Sequence, residues 1–195
     1  MENEEGFPYF DLYYFREKKV QCKECENTTR AEDGGNRVLD LPVEAQDNWD
    51  VNLALNRFAT EEEMDGENMY HCLKCGKLTR ANKKITFLSL PKVLLIAIKL
   101  YSFDHQKAAC EKRTQPIRYP LTFSHAKKSS CDKVHSKYEL YGITAHTGTI
   151  ASGHHFAFCK KNEQWWKFDD ENVTPADINE VRRAQPQFLC YRKSG

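Results

Sequence analysis

Hydrophobic and polar positions alternate with a period of two over much of the chain, the signature of strands with one face in a core. Val38-Leu39-Asp40-Leu41-Pro42-Val43 follows it, as do residues 83–89 around Ile85 and Phe87, and residues 138–146. Residues 93–98, Val-Leu-Leu-Ile-Ala-Ile, form a near-continuous apolar run between Lys92 and Lys99, which suits a central strand buried on both faces. Residues 7–15 are aromatic-rich and could hold a strand, with Pro8 limiting its start. Further strands are predicted over 17–22, 154–160, 165–169 and 187–191, and ordered structure resumes over 117–123. Helical spacing is confined to Val51, Leu55 and Phe58 behind a capping Asp50, with a second helical turn over 177–184. Residues 31–37, 102–115 and 124–136 are polar and aperiodic and read as surface loops. Turns are predicted at 147–153 and 162–164.

Composition narrows the class. With 195 residues, 40% apolar and 12% aromatic, the chain can build one core, or one core with a small appendage, and is not disordered. A net charge of +1 argues against a nucleic-acid partner held by phosphate neutralisation. The longest apolar run has only a strand's length, so no membrane span is expected. The acidic start Met1-Glu2-Asn3-Glu4-Glu5 lacks the character of a signal peptide, which gives a cytosolic or nuclear expectation.

Four of the eight cysteines fall in two CxxC pairs, Cys22/Cys25 and Cys72/Cys75; Cys110, Cys131, Cys159 and Cys190 are single. Two such knuckles supply the four-sulfur tetrahedron of a structural zinc site. Residues 26–71 separate them, more than a compact zinc ribbon needs, so the ion is expected to tie two hairpins of a longer β-structure with the helix inserted between. Gly76 can take the positive φ that the second knuckle demands.

The strongest chemical signal is Ser152-Gly153-His154-His155-Phe156-Ala157-Phe158, followed by Trp165-Trp166-Lys167-Phe168-Asp169-Asp170. A histidine behind a glycine and an aspartate fifteen positions on are the ingredients of a general base and its orienting carboxylate. His155 would point to the opposite face of the strand and is read as structural or exposed. Alternation lets only one of Asp169 and Asp170 face His154. Gly153 would let a substrate backbone approach the base. His146 could shape the neighbouring loop or stabilise its turn. Trp165, Trp166 and Phe168 are read as packing, and the lysines at 127–128 and 160–161 as a solvated face.

Together Leu90-Pro91-Lys92-Val93-Leu94-Leu95-Ile96, Tyr141-Gly142-Ile143-Thr144-Ala145-His146-Thr147-Gly148, Ser152-Gly153-His154 and Trp166-Lys167-Phe168-Asp169-Asp170 resemble, in order and spacing, the second half of a ubiquitin-specific protease domain. These are papain-related cysteine proteases that remove ubiquitin. The CxxC pairs match that family's zinc-tied fingers, and Phe188-Leu189-Cys190-Tyr191 resembles its last palm strand.

The resemblance implies an α+β fold, a papain-like palm of mostly antiparallel strands (about 89–195) with a zinc-tied β finger extension and inserted helix (about 16–88). It makes His154 the base, Asp169 the orienting acid and Asp170 a possible auxiliary. Residues 102–115 and 147–153 would flank a channel for the ubiquitin tail. The partner would be ubiquitin or a ubiquitinated protein, and the reaction thiol-dependent hydrolysis at the C-terminus of ubiquitin. One departure is decisive: the family's Asn-x-Gly-Asn-Thr-Cys motif is absent, and none of the four single cysteines heads a helix after a glycine-bearing turn. The chain is therefore either the fingers and palm of an enzyme whose nucleophile lies elsewhere, or a ubiquitin-binding relative that does not cut. A zinc-ribbon interaction protein would explain the cysteines but not the motifs after Leu90. Leu100 stands where the family usually has arginine. Without a thumb, a palm face that ought to be buried would be exposed and open to association.

Overall fold

The computed structural model describes residues 12–43, 49–104, 108–128 and 133–194. An eight-stranded sheet organises it, in the order Asn172–Ala176, Gln164–Asp169, Gly153–Lys161, Lys133–Gly148, Pro186–Ser194, Val93–Lys99 and Val38–Pro42, with Thr122–Lys128 paired to the first half of Lys133–Gly148. All neighbours are antiparallel except Val38–Pro42, which runs parallel to Val93–Lys99.

Register explains why the sheet has two unlike faces. Leu39, Ile96, Leu189, Ile143 and Phe158 form one row across five strands, each no more than 1% exposed. The adjacent row, Ala97, Phe188, Thr144, Ala157, Phe168 and Val173, points to the other side. There Phe188, Phe168 and Val173 are 37%, 40% and 50% exposed. The buried face is covered by the helix Val51–Phe58, by Trp49, and by Ile117 and Tyr119. Asp50 starts that helix as the sequence predicts, its Oδ1 accepting from Asn52 N at 2.7 Å. Phe58 from its last turn stacks on Phe87 with centroids 5.4 Å apart.

A four-stranded sheet projects from this body in the order Thr28–Asn36, Tyr14–Cys22, Ala81–Ser89 and Glu62–Met64. Its end carries the small hairpin Tyr70–Cys72/Lys77–Thr79. No helix among the described residues is long and apolar enough to cross a membrane.

Several loop expectations are corrected. Residues 31–37 belong mostly to the edge strand Thr28–Asn36, which pairs along Tyr14–Cys22. Both of its faces are wet, so backbone pairing forms it without any alternation to betray it; cross-strand charges, Arg16 to Asp33 and Arg30 to Glu17, decorate it instead. Residues 102–115 include the hairpin Tyr101–Asp104/Ala109–Lys112, with 105–107 outside the described residues. Residues 124–136 fall on Thr122–Lys128 and the start of Lys133–Gly148. The strand proposed over 7–15 begins at Tyr14, and residues 7–11 lie outside the described residues, as does Cys131. Asn172–Ala176 is an additional strand, paired back on Gln164–Asp169.

Candidate active site and metal centre

His154 is the second residue of Gly153–Lys161, and Asp169 is the last of Gln164–Asp169, the strand beside it. The antiparallel pairing that sets Ala157 against Phe168 brings His154 Nε2 to 2.5 Å from Asp169 Oδ1. An ionised carboxylate only accepts, so the ring donates from Nε2, and proton-transfer chemistry is left to Nδ1. Lys167, two positions before Asp169 and on the same strand face, sets its Nζ 2.9 Å from Oδ2. Lys167 first and His154 second hold the Asp169 carboxyl below its ordinary range, so it stays ionised as the imidazole changes state. Alternation within 165–169 was the sequence signal that could have singled out Lys167. Asp170 follows at φ 53°, and its carboxylate lies within 4.8 Å of the ligating atoms of His154 and Asp169. His154 and Asp169 are partly open to solvent.

The turn before His154 is built on two glycines. Gly148 has φ 100°, and a Cβ there would meet Ser152 O at 2.5 Å. Thr149 N donates to Ser152 O at 2.8 Å to close the turn. A Cβ on Gly153 would lie 2.0 Å from His146 Nε2, so the space this glycine leaves is filled by the His146 ring, not kept for a substrate backbone. His155 faces away from His154, and its ring packs on that of His146 with centroids 4.6 Å apart.

Among the described residues, the single cysteines on the eight-stranded sheet, Cys159 and Cys190, lie on the face away from this pair. Cys159 and His154 are an odd number of residues apart on one strand, hence on opposite faces and about 17 Å apart along it. Cys190 sits on the same sheet face as Cys159, across Gly142. Burial pushes the Cys159 thiol up and Cys190 to about 11, away from thiolate. Cys110 is exposed on the Ala109–Lys112 strand.

At the far end of the finger sheet, Tyr14–Cys22 and Tyr70–Cys72 each run into a knuckle that returns a second thiol. Gly76, at φ 68°, donates from N to Cys72 O at 2.8 Å and closes the second turn. Cys22 Sγ lies 3.9 Å from Cys75 Sγ and Cys25 Sγ 3.6 Å from Cys72 Sγ; all four sulfurs fall within 4.8 Å of one another. Four thiolates on zinc at about 2.3 Å stand about 3.8 Å apart, so this donor set fits a tetrahedral ion. Thr79, buried 3.3 Å from Cys22 Sγ, is the main reason that thiol is pulled down to about 6. Hydrogen bonding to its fellow thiols, Cys25 first, pushes Cys75 up to about 12.

Known proteins are similar to this chain in sequence and in fold. The family described as ubiquitin carboxyl-terminal hydrolase matches residues 3–191. The chain is 32% identical over 174 residues to a probable ubiquitin carboxyl-terminal hydrolase 16 of Schizosaccharomyces pombe, covering 88% of this chain and 36% of that protein. It is 31% identical over 179 residues to ubiquitin carboxyl-terminal hydrolase 2 of Gallus gallus, covering 88% of this chain and 49% of the relative. Among solved structures, a chain of the SAGA Ubp8/Sgf11/Sus1/Sgf73 DUB module bound to ubiquitin aldehyde matches with a TM-score of 0.81 at 27% identity, over 94% of this chain and 42% of that one. This chain thus spans less than half the length of these relatives. The match over residues 3–191, together with the fold shared with that solved chain, makes this chain a member of the ubiquitin carboxyl-terminal hydrolase family.

Proposed function

We propose that this chain is the fingers-and-palm portion of a cysteine-type deubiquitinase of the cytosol or nucleus, and that it supplies the base, its orienting acid and the ubiquitin-gripping surface. The observation that carries the reading is the His154–Asp169 hydrogen bond at 2.5 Å, placed behind a glycine-built turn at one end of the palm sheet.

The steps follow from that geometry. A cysteine thiol from residues outside this chain approaches His154 Nδ1, which takes its proton; the thiolate attacks the carbonyl carbon of the ubiquitin C-terminal glycine. The imidazolium formed is stabilised by Asp169, itself kept ionised by Lys167. The tetrahedral intermediate collapses as the C–N bond breaks, and His154 returns its proton to the departing amine. Water, deprotonated by the same nitrogen, then releases ubiquitin from the thioester. Asp170 stands near enough to act as an auxiliary carboxylate. Cys22, Cys25, Cys72 and Cys75 would hold zinc, whose contribution is structural. It would fix the finger end that grips the body of ubiquitin.

A second reading, a module that binds ubiquitin without cutting, is favoured by one observation: Cys159 and Cys190 lie on the sheet face turned away from His154. Titration with a ubiquitin probe bearing a thiol-reactive C-terminal warhead separates the two. The enzyme reading expects the isolated chain to bind ubiquitin without an adduct. It expects an adduct on addition of a polypeptide carrying the family's cysteine motif, slowed strongly by His154→Ala. Ubiquitin binding with no adduct in either case would favour the module, and no binding at all would defeat both.

A further inference from the structure

The hairpin Tyr101–Asp104/Ala109–Lys112 forms a two-stranded sheet of its own, with no ladder to either larger sheet. Among the described residues, Lys112 and Tyr101 join it to the His154 end of the eight-stranded sheet. Lys112 Nζ lies 2.9 Å from Gly148 O, 3.0 Å from His146 Nδ1 and 3.3 Å from His146 O, so three donors meet three acceptors. Tyr101, the cross-strand partner of Lys112, brings its hydroxyl to 3.3 Å from the same Nδ1. The imidazole they grasp is 7% exposed, backed by the His155 ring and by Gly153, whose missing side chain makes room for Nε2. Beside this contact Lys112, Thr114, Gly148, Thr149, Ile150 and Ala151 line a cleft of about 370 Å³.

We infer that Lys112 is a positioning residue: with His146 it latches the 101–112 hairpin onto the 148–153 turn, and so sets the distance between two walls of the channel that guides the ubiquitin tail to His154. This deepens the functional reading above and rests on it for the identity of the tail. The latch requires a bare Nδ1, hence a neutral ring protonated on Nε2. Burial foremost, then the Lys112 charge and then His155, hold the His146 pKa below its ordinary value, which keeps that form present at neutral pH. Among the described residues, the titratable groups facing His146 are Lys112 and Tyr101 from the hairpin and His155 from the neighbouring strand. Protonation would remove the acceptor and set two cations together. The latch is therefore intact above the lowered pKa and lost as the pH falls through it.

Two measurements test the latch without ubiquitin. Ring nitrogen chemical shifts of the unmodified chain should show His146 Nδ1 unprotonated; a proton on Nδ1 at neutral pH overturns the inference. Amide hydrogen exchange across 148–153 should accelerate about tenfold in Lys112→Met, which keeps the aliphatic stem and removes the donors; unchanged exchange overturns it as well. The positioning role is then read with ubiquitin. Lys112→Met should weaken binding of intact ubiquitin about tenfold and leave binding of ubiquitin shorn of its flexible tail unchanged. An equal loss for both forms would make Lys112 merely structural and defeat the positioning claim. Failure of the unmodified chain to bind ubiquitin would count against the functional reading, while the nitrogen shifts and exchange would still decide the latch.

Discussion

The palm and the fingers are both antiparallel sheets, yet they hold themselves together by different means. In the palm, one row of side chains crossing five strands is almost wholly buried, and a helix and two short segments close over it. In the finger sheet the outer strand Thr28–Asn36 buries no side chain, and the inner strands alternate charged residues across the ladder. Buried at the finger end are Val20, Cys22, Cys72, Thr79 and Ala81, among them two of the four thiols that could hold a metal. Apolar burial stabilises the palm in proportion to area. The fingers bury less of it, so an ion held by the four thiols would supply much of their order. On the proposed function, the region that would grip a partner is thus separated energetically from the region that would position a base.

The sharpest way to break the comparison is to remove the metal. Chelation, or Cys72→Ala, should abolish the order of residues 62–82 and of the facing knuckle, with loss of amide protection there and retention in the palm. Uniform unfolding of both sheets would show that the two are one cooperative unit. Next in size, Leu189→Ala in the palm row should lower stability by about 2–5 kcal/mol in denaturant unfolding and leave the fingers' metal affinity unchanged. On the chemistry, Asp169→Asn should slow probe labelling by the nucleophile-supplied complex about a hundredfold or more, with ubiquitin affinity unchanged. Lys167→Met should act more gently. Without its largest depressing neighbour, the Asp169 carboxyl rises toward its ordinary value, and the ion pair with His154, present above that pKa, is lost at a higher pH as solutions are acidified. The acid limb of the labelling profile should move upward. Smallest of all, Asp50→Ala removes the cap of the helix covering the palm and should lower stability by about 1 kcal/mol.

The same contrast explains what could be read from sequence. Residues 138–146 and 93–98 were legible as strands because a core lies against them and burial writes its period into side-chain choice. The 93–98 run does not stand at the centre of the sheet; it lies second from the edge, between Pro186–Ser194 and Val38–Pro42. The helix behind Asp50 was legible from its cap. Residues 31–37 and 102–115 were misread as loops because strands wet on both faces need only backbone partners. The knuckles were visible as cysteine spacing, and the histidine-aspartate pair as an ordered motif whose meaning came from resemblance. Lys112 could not be found that way. Its role depends on a hairpin folding over a turn thirty-six residues later, and only the juxtaposition in space marks it out.

The central claim is that ubiquitin lies along the fingers with its tail at His154. A titration of the isotopically labelled chain with ubiquitin, followed residue by residue by NMR, tests it most directly. The account predicts saturable shifts in two separated groups, one on the finger strands 14–36 and 62–89, the other at 110–114, 148–154 and 169. Shifts confined to the exposed Phe168, Val173 and Phe188 face, or no shifts at all, would contradict it.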